Sequence, residues 1–281
     1  MEWLDALWLG IVQGLAEYLP ISSSGHLEIF RQILGVPLEG ADALEFDVTL
    51  HVATVLSTIV VLWREFAPLC RSFFTLRRDA NTVYVWKILL SCIPVAIVGF
   101  CFKEQIEELF GRGLSVVGVC LIVTAALLAF AYFFRRGEDP RLPGGTGATR
   151  GHDITWLDAF VIGCAQAVAV LPGLSRSGTT IATGLVLGDR RDKIAQFSFF
   201  MVIVPILGEA LLSVKKIIWP AADAAAQNTG DVGAAALVAG FLGAFVVGCL
   251  ACKWMINLVK KGKLVWFAVY CLAMGVVCLL W

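Results

Sequence analysis

Long apolar segments, separated by short polar ones, run along almost the whole chain. Six of them approach or exceed the roughly 18 residues that mark a membrane span, namely 45–63, 84–102, 114–134, about 194–214, 233–253 and 264–281. The pattern predicts an all-α polytopic membrane protein with six transmembrane helices.

Two pairs of shorter apolar segments have a different pattern. They cover 3–19 with 21–35, and 156–171 with 174–188, and each pair is interrupted by proline and polar residues. Each member is near or below spanning length, so we expect two re-entrant helix pairs that enter and leave on the same side. Broken backbone at that depth is tolerated only where protein or a water-filled cavity satisfies it.

The two pairs are copies of one motif, offset by 153 positions. The offset aligns identical residues in the two copies: Gln13 with Gln166, Ser22 with Ser175, Ser24 with Ser177 and Gly25 with Gly178. The predicted spans follow the same offset. An odd number of crossings per half makes the second half inverted relative to the first, a plan whose sites lie at broken helices near the midplane. We predict one integral membrane domain over 1–281, with repeats of about 1–134 and 154–281 joined by a linker at 135–153.

The charges of the polar loops predict the orientation. One side receives most of the basic residues, namely Arg64, Arg71, Arg77, Arg78, Arg135, Arg136, Arg141, Arg150, Arg190, Arg191, Lys193, Lys260, Lys261 and Lys263. The positive-inside rule makes this side, with the linker, cytoplasmic. Both termini and the mouth of the first re-entrant pair then face outward, while the second pair enters from the cytoplasm and the two loops meet inside.

Composition supports the membrane class and narrows the partners. The 281 residues are 59% hydrophobic and 16% charged, whereas soluble domains are about 45–50% apolar and about 25% charged. The net charge of zero gives no general attraction to nucleic acid. The acidic N-terminus lacks the basic region of a cleavable signal peptide. Most of the nine cysteines, including Cys249 and Cys252, lie in apolar runs, so we interpret them as small buried hydrophobes.

The second loop, Ser175 to Thr180 after Pro172-Gly173, predicts an anion site. A helix N-terminus offers unpaired N–H groups and a positive dipole end, and the fork of Arg176 matches phosphate geometry. The alternative is that the hydroxyls cap the helix and Arg176 extends to the surface. An arginine well inside a membrane segment favours the functional interpretation.

The first loop, Ser22 to His26 after Pro20, repeats this pattern and adds acid–base chemistry. Glu17 lies four residues after Gln13, so the two share a helix face. A carboxylate, a hydroxyl and an imidazole can supply a base, a nucleophile and a general acid or metal ligand. A buried carboxylate needs a cation, either Arg176, a divalent metal or both. Three further polar residues, Glu45, Asp47 and His51, either stand near this site or form the solvated start of a span.

These motifs resemble those of a known family. The first, Gln13-x-x-x-Glu17 followed by Leu19 to His26, is similar to the first signature of the bacterial undecaprenyl-diphosphate phosphatase (bacitracin-resistance) family, and Pro172 to Thr180 is similar to its second, PGxSRSxxT. The family's first motif allows Glu or Gln at its first position. Here that residue is Gln13, so Glu17 is the only carboxylate of the loop.

The resemblance implies hydrolysis of a long-chain polyprenyl diphosphate at the outer face of the bacterial cytoplasmic membrane, a divalent metal (Mg or Ca) and a homodimer. We predict Glu17, Ser23, His26 and Arg176 as catalytic residues, with Glu17 also a metal ligand. Ser23 is the preferred nucleophile, because its repeat mate Arg176 should face it. The predicted diphosphate-binding residues are Gln13, Ser22, Ser24, Gly25, Gly173, Ser175, Ser177, Gly178 and Thr180.

A transporter or lipid flippase is the rival hypothesis, since inverted repeats and broken helices are transporter architecture. Glu17, Ser23 and His26 in one loop discriminate against it. A carrier needs an anion site but no nucleophile.

Overall fold

A computed structural model describes residues 1–36, 38, 40–135, 151–218 and 232–281 of the chain. Regular structure in these ranges is helical, apart from one isolated bridge between His152 and Asp189. The helices are α1 (Trp3–Ala16), α2 (Ser23–Leu34), α3 (Gly40–Val61), α4 (Trp63–Phe74), α5 (Ala80–Cys101), α6 (Lys103–Phe110), α7 (Leu114–Phe134), α8 (Trp156–Val168), α9 (Arg176–Leu187), α10 (Arg191–Met201), α11 (Ile203–Ile218), α12 (Ala234–Lys260) and α13 (Val265–Leu280). The prediction of an all-helical membrane protein is confirmed.

Five helical segments in the described ranges are long and apolar enough to cross a membrane: Asp42–Val61, Ala80–Cys101, Leu114–Phe134, Arg191–Leu212 and Ala234–Lys260. They match five of the six predicted spans. The sixth, 264–281, forms α13, which has only 16 residues. It is therefore shorter than the other five and stays a predicted span.

Some details differ from the predicted segments. The predicted span 194–214 is two helices, α10 and α11, that meet at Val202. Pro205 lies just inside α11, where its ring excludes a bond to the Met201 carbonyl, so a break here has a local cause. The short helices α4 and α6 were not predicted. Most of the predicted linker at 135–153 lies outside the described residues.

Small residues allow the main helix pairs to pack closely. α1 packs along α12, and a Cβ placed on Gly14 would lie 2.6 Å from the carbonyl oxygen of Ala244. α8 packs along α5 in the same way, with the Gly163 position 2.5 Å from the carbonyl oxygen of Ser91. Close backbone approach through small residues is how helices associate where lipid replaces water. These contacts fix α1 and α8, whose ends carry the two polar loops.

Candidate active site

Both polar loops begin with a serine that caps the following helix. The hydroxyl oxygen of Ser22 accepts a hydrogen bond from the backbone N–H of Gly25 at 3.2 Å, and that of Ser175 accepts one from Gly178 at 3.1 Å. These caps satisfy one of the free N–H groups at the start of α2 and of α9. The alignment of the two loops in the sequence therefore corresponds to the same capping hydrogen bond in both.

The two loops touch at the centre of the protein. The Ser177 hydroxyl donates to the carbonyl of Leu19 at 3.1 Å, and the backbone N–H of Gly173 lies 3.5 Å from the Ser24 hydroxyl. A Cβ on Gly25 would lie 3.1 Å from the Cα of Gly173. The contact is too close for larger residues, so the glycines allow the loops to meet.

Glu17 is the centre of the polar contacts between the loops. One of its carboxylate oxygens, Oε1, accepts a hydrogen bond from the Arg176 guanidinium. The other, Oε2, accepts from the Ser23 hydroxyl at 2.8 Å and from the Gln13 amide at 3.0 Å. The Glu17 side chain is 5% exposed and that of Arg176 is 19% exposed. The predicted cation for this buried carboxylate is therefore Arg176, which comes from the other loop.

A narrow cleft lies beside this pair. Its polar lining includes Glu17, Arg176 and five hydroxyl-bearing side chains, Tyr18, Thr54, Thr58, Ser177 and Ser198. Sequence reasoning missed Thr54, Thr58 and Ser198, which lie inside apolar spans where a single hydroxyl is not conspicuous. The Tyr18 hydroxyl, 2.8 Å from that of Thr58, ties α3 to the first loop.

His26 faces away from the Glu17–Ser23 contact. Its Nδ1 lies 2.8 Å from the Ser22 carbonyl oxygen, to which it must donate, and its Nε2 lies 2.6 Å from the Tyr270 hydroxyl. The two rings stack with centroids 5.5 Å apart. Within the described residues, no hydrogen bond joins His26 to Ser23 or Glu17. Tyr270, on α13, was not predicted, and no sequence signal pairs two residues so distant in the chain.

Several of the predicted phosphate-binding groups are occupied by local bonds. The Thr180 hydroxyl bonds to the Arg176 carbonyl at 2.9 Å and to the Ser198 hydroxyl at 2.7 Å, and the Ser175 backbone N–H donates to Thr124 at 3.0 Å. Of the predicted diphosphate-binding residues, Gln13 reaches the Glu17 carboxylate directly, and Ser177 lines the cleft.

The three polar residues at the start of α3 take different positions. His51 approaches the site, with its Nε2 3.8 Å from Oε2 of Glu17. Asp47 instead pairs with Arg31, and Glu45 is exposed.

The surroundings of Glu17 contain atoms that suit a cation. Oε1 of Gln13 is buried and has no hydrogen-bond donor among the described residues, and the His51 imidazole lies nearby. A carboxylate, an amide oxygen and an imidazole are all common metal ligands. This donor set fits a divalent ion with a single protein carboxylate.

Comparisons with known proteins agree with the motifs. The family described as bacitracin resistance protein BacA matches residues 6–277. An undecaprenyl-diphosphatase of Bacteroides fragilis is 54% identical over 277 residues, covering 99% of this chain and 97% of that protein. Undecaprenyl-diphosphatases of Parabacteroides distasonis and Bacteroides thetaiotaomicron are 54% and 51% identical, covering 99% and 98% of this chain and 97% of each relative.

Proposed function

We propose that this chain, which belongs to the bacitracin resistance protein BacA family, is an undecaprenyl-diphosphatase of a bacterial membrane. It hydrolyses undecaprenyl diphosphate to undecaprenyl phosphate and inorganic phosphate, which recycles the lipid carrier of peptidoglycan synthesis and confers bacitracin resistance. One observation carries the assignment: Glu17 accepts bonds from both Ser23 and Arg176, which come from separate loops. This arrangement places a hydroxyl, a carboxylate and a guanidinium together.

Arg176 has the electrostatic role in this mechanism. Phosphoryl transfer depends mostly on positioning and charge stabilisation. A guanidinium has two coplanar N–H groups that can donate to two phosphate oxygens at once. The N-terminus of α9, where Arg176 is the first residue, adds a positive dipole end. On substrate binding, the terminal phosphate shares Arg176 with Glu17.

Ser23 is the nucleophile and Glu17 its base. The Ser23 hydroxyl already donates to Glu17 at 2.8 Å, so its proton passes to the carboxylate as the oxygen attacks the terminal phosphorus. The bond from that phosphorus to the bridging oxygen breaks, and the lipid monophosphate leaves. Water then attacks the serine-bound phosphate, releases inorganic phosphate and restores the hydroxyl. His26 positions the loop through Ser22 and Tyr270.

A divalent ion, Mg or Ca, is part of the proposal. Glu17 and the buried Gln13 Oε1 would hold it, because these ions prefer oxygen ligands. When bound, such an ion neutralises charge on the phosphate oxygens.

We further propose an inverted-topology repeat with α13 as the sixth span. The packing of the helices supports this proposal. A shift of 153 residues places α1 on α8 and α5 on α12, so the packing of α1 on α12 has its counterpart in the packing of α8 on α5. In this topology the site opens to the outer side of the cytoplasmic membrane and the linker at 135–153 is cytoplasmic. We propose separately that two chains form a homodimer. Labelling of single added cysteines from outside intact cells tests the orientation, and native mass spectrometry tests the dimer.

Phosphate release from undecaprenyl diphosphate by the purified chain in detergent tests the activity, because no gradient exists there to drive a carrier. We expect release by the wild-type chain and by Arg190→Ala, an arginine whose side chain is 44% exposed. Arg176→Ala should abolish it. Binding of the lipid without release of phosphate would overturn the proposal and favour the flippase.

A further inference from the structure

A second cluster of polar residues lies at the open end of the second helix pair. It consists of His152 and Asp158, before and at the start of α8, and Asp189, after α9. The 12 residues of α9 separate it from Arg176, a length of about 18 Å along the helix axis. The cluster is thus distinct from the site that contains Glu17.

The backbone holds all three residues in place. The His152 N–H donates to the Gly188 carbonyl at 3.2 Å, and the Arg190 N–H donates to the His152 carbonyl at 3.1 Å. Gly188 ends α9 with φ of +99°, a left-handed conformation that glycine adopts readily, and this turn brings Asp189 beneath His152. Asp158 belongs to a capping box with Thr155. These side chains are preorganised.

The ligand atoms have the spacing of a metal site. His152 Nδ1 lies 3.5 Å from Oδ1 of Asp189 and 3.6 Å from Oδ2 of Asp158. All three atoms lie within 4.8 Å of one another. Ligands of a tetrahedral ion with bonds of about 2.0–2.1 Å are roughly 3.3 Å apart, so little movement would enclose an ion.

Asp189 provides an independent observation. Its side chain is 0% exposed, and neither carboxylate oxygen accepts a hydrogen bond from any described residue. A buried carboxylate that lacks hydrogen bonds is costly unless a proton or a cation neutralises it, and a metal ion is one such cation.

The contacts of the His152 ring are compatible with Nδ1 as the metal ligand. Nε2 of His152 lies 3.2 Å from the Leu187 carbonyl oxygen, to which it donates. Metal-binding histidines commonly donate their second N–H to a carbonyl in this way. An alternative is a proton on Nδ1, which is 3.1 Å from the Asp153 carbonyl. An imidazolium would carry a proton on each nitrogen and could donate to both carbonyls. A metal ion on Nδ1 would instead leave the Nε2 proton for Leu187 and give a partner to Asp189, whose oxygens lack a donor among the described residues.

We propose that His152, Asp158 and Asp189 bind one divalent transition-metal ion of the Mn²⁺ or Zn²⁺ class. One imidazole and two carboxylates suit either ion. The ion joins the chain before α8 to the chain after α9 and so closes the open end of this helix pair. With half of its side chain exposed, His152 leaves a route for the ion to enter.

Titration of the full chain with Mn²⁺ in detergent tests the site, with free Mn²⁺ measured by electron paramagnetic resonance. Mn²⁺ is the better probe because thiolates of the free cysteines would compete for Zn²⁺. We expect His152→Ala and Asp189→Asn to lose one bound ion or to bind it at least about tenfold more weakly. Asp153→Asn, a neighbouring acid that is 77% exposed, is the matched control and should bind as the wild type does.

Thermal unfolding separates loss of the site from loss of the fold. Mn²⁺ should raise the Tm of the wild type and of Asp153→Asn by more than that of Asp189→Asn, which keeps its shape without a buried charge and retains only the proposed ion site at Glu17. Equal binding by all four proteins, or equal loss in Asp153→Asn, would overturn the proposal. Phosphate release is not the readout, so failure here leaves the proposed enzyme activity standing.

Discussion

The two polar loops share a backbone plan but differ in how their buried polar groups are satisfied. In the first loop, Gln13 donates to Glu17, which also holds Ser23 and Arg176. In the second, Val170 stands at the position of Glu17, and both amide atoms of Gln166 are buried without a hydrogen-bond partner among the described residues. The proposed catalytic carboxylate belongs to one copy and the arginine to the other, so the proposed site depends on contact between the copies.

The caps differ in backbone conformation as well. Ser22 caps α2 with φ of +72°, whereas Ser175 caps α9 with φ of −68°. In the second loop the positive φ falls on Gly173, at +86°. A left-handed conformation costs an L-residue roughly 1–2 kcal/mol. Such strain is typical of functional sites, and it is found in the copy that carries the proposed nucleophile, Ser23.

The largest effect is expected from loss of the arginine. Arg176→Ala should lower kcat/KM for phosphate release by at least about 10³-fold, the effect of removing an arginine finger. It also leaves Glu17 buried without its cation. Arg176→Lys keeps the charge but loses the forked pair of donors, so its kcat/KM should lie between those of the wild type and Arg176→Ala. A loss below tenfold in Arg176→Ala would remove Arg176 from the site.

Loss of the serine hydroxyl should come next. Ser23→Ala removes the proposed nucleophile, and we expect a reduction of about 10²–10⁴-fold in kcat, the range typical of a group engaged in proton transfer. Thr183→Ala is the control and should stay within tenfold, because this hydroxyl is outside the predicted site and donates to the Thr179 carbonyl within α9 at 2.8 Å. Near-normal turnover by Ser23→Ala would favour direct attack by water.

Sequence reasoning succeeded where the two copies could be aligned. The 153-residue offset predicted that Arg176 and the first loop would meet, and the Arg176–Glu17 pair is the observed contact. Hydropathy predicted the five long spans because lipid requires about 20 apolar residues per crossing.

Contacts between elements far apart in the chain could not be predicted. The bond between His26 and Tyr270 joins residues 244 positions apart, and Thr54, Thr58 and Ser198 reach the cleft from helices α3 and α10. Their placement depends on which helix faces turn inward, and the weak periodicity of membrane helices does not encode this. The break at Val202, by contrast, had a visible signal in Pro205, since proline removes a helical hydrogen bond.

Moderate effects on stability should distinguish the two caps. Ser175→Ala should lose about 1 kcal/mol of stability through the lost cap. Ser22→Gly should lose less or gain, because glycine caps almost as well and adopts positive φ freely. The measurement is the Tm of each variant in the same detergent, with Ser175→Gly as the control at a negative φ. A larger fall in Tm for Ser22→Gly than for Ser175→Gly would show that the Ser22 backbone is not strained.

The smallest effect is expected at the two aligned glutamines. Gln166→Leu removes two buried polar atoms that lack partners in the described part of the chain, and such atoms cost about 1–3 kcal/mol. We therefore expect an equal or higher Tm with phosphate release unchanged. Gln13→Leu removes a donor to Glu17, so it should lower phosphate release several-fold. A fall in the Tm of Gln166→Leu would mean that a buried water or ion satisfies this amide. The second loop would then have a polar site of its own. The two copies would differ less in how their buried polar groups are satisfied than the contacts of Glu17 and Gln166 indicate.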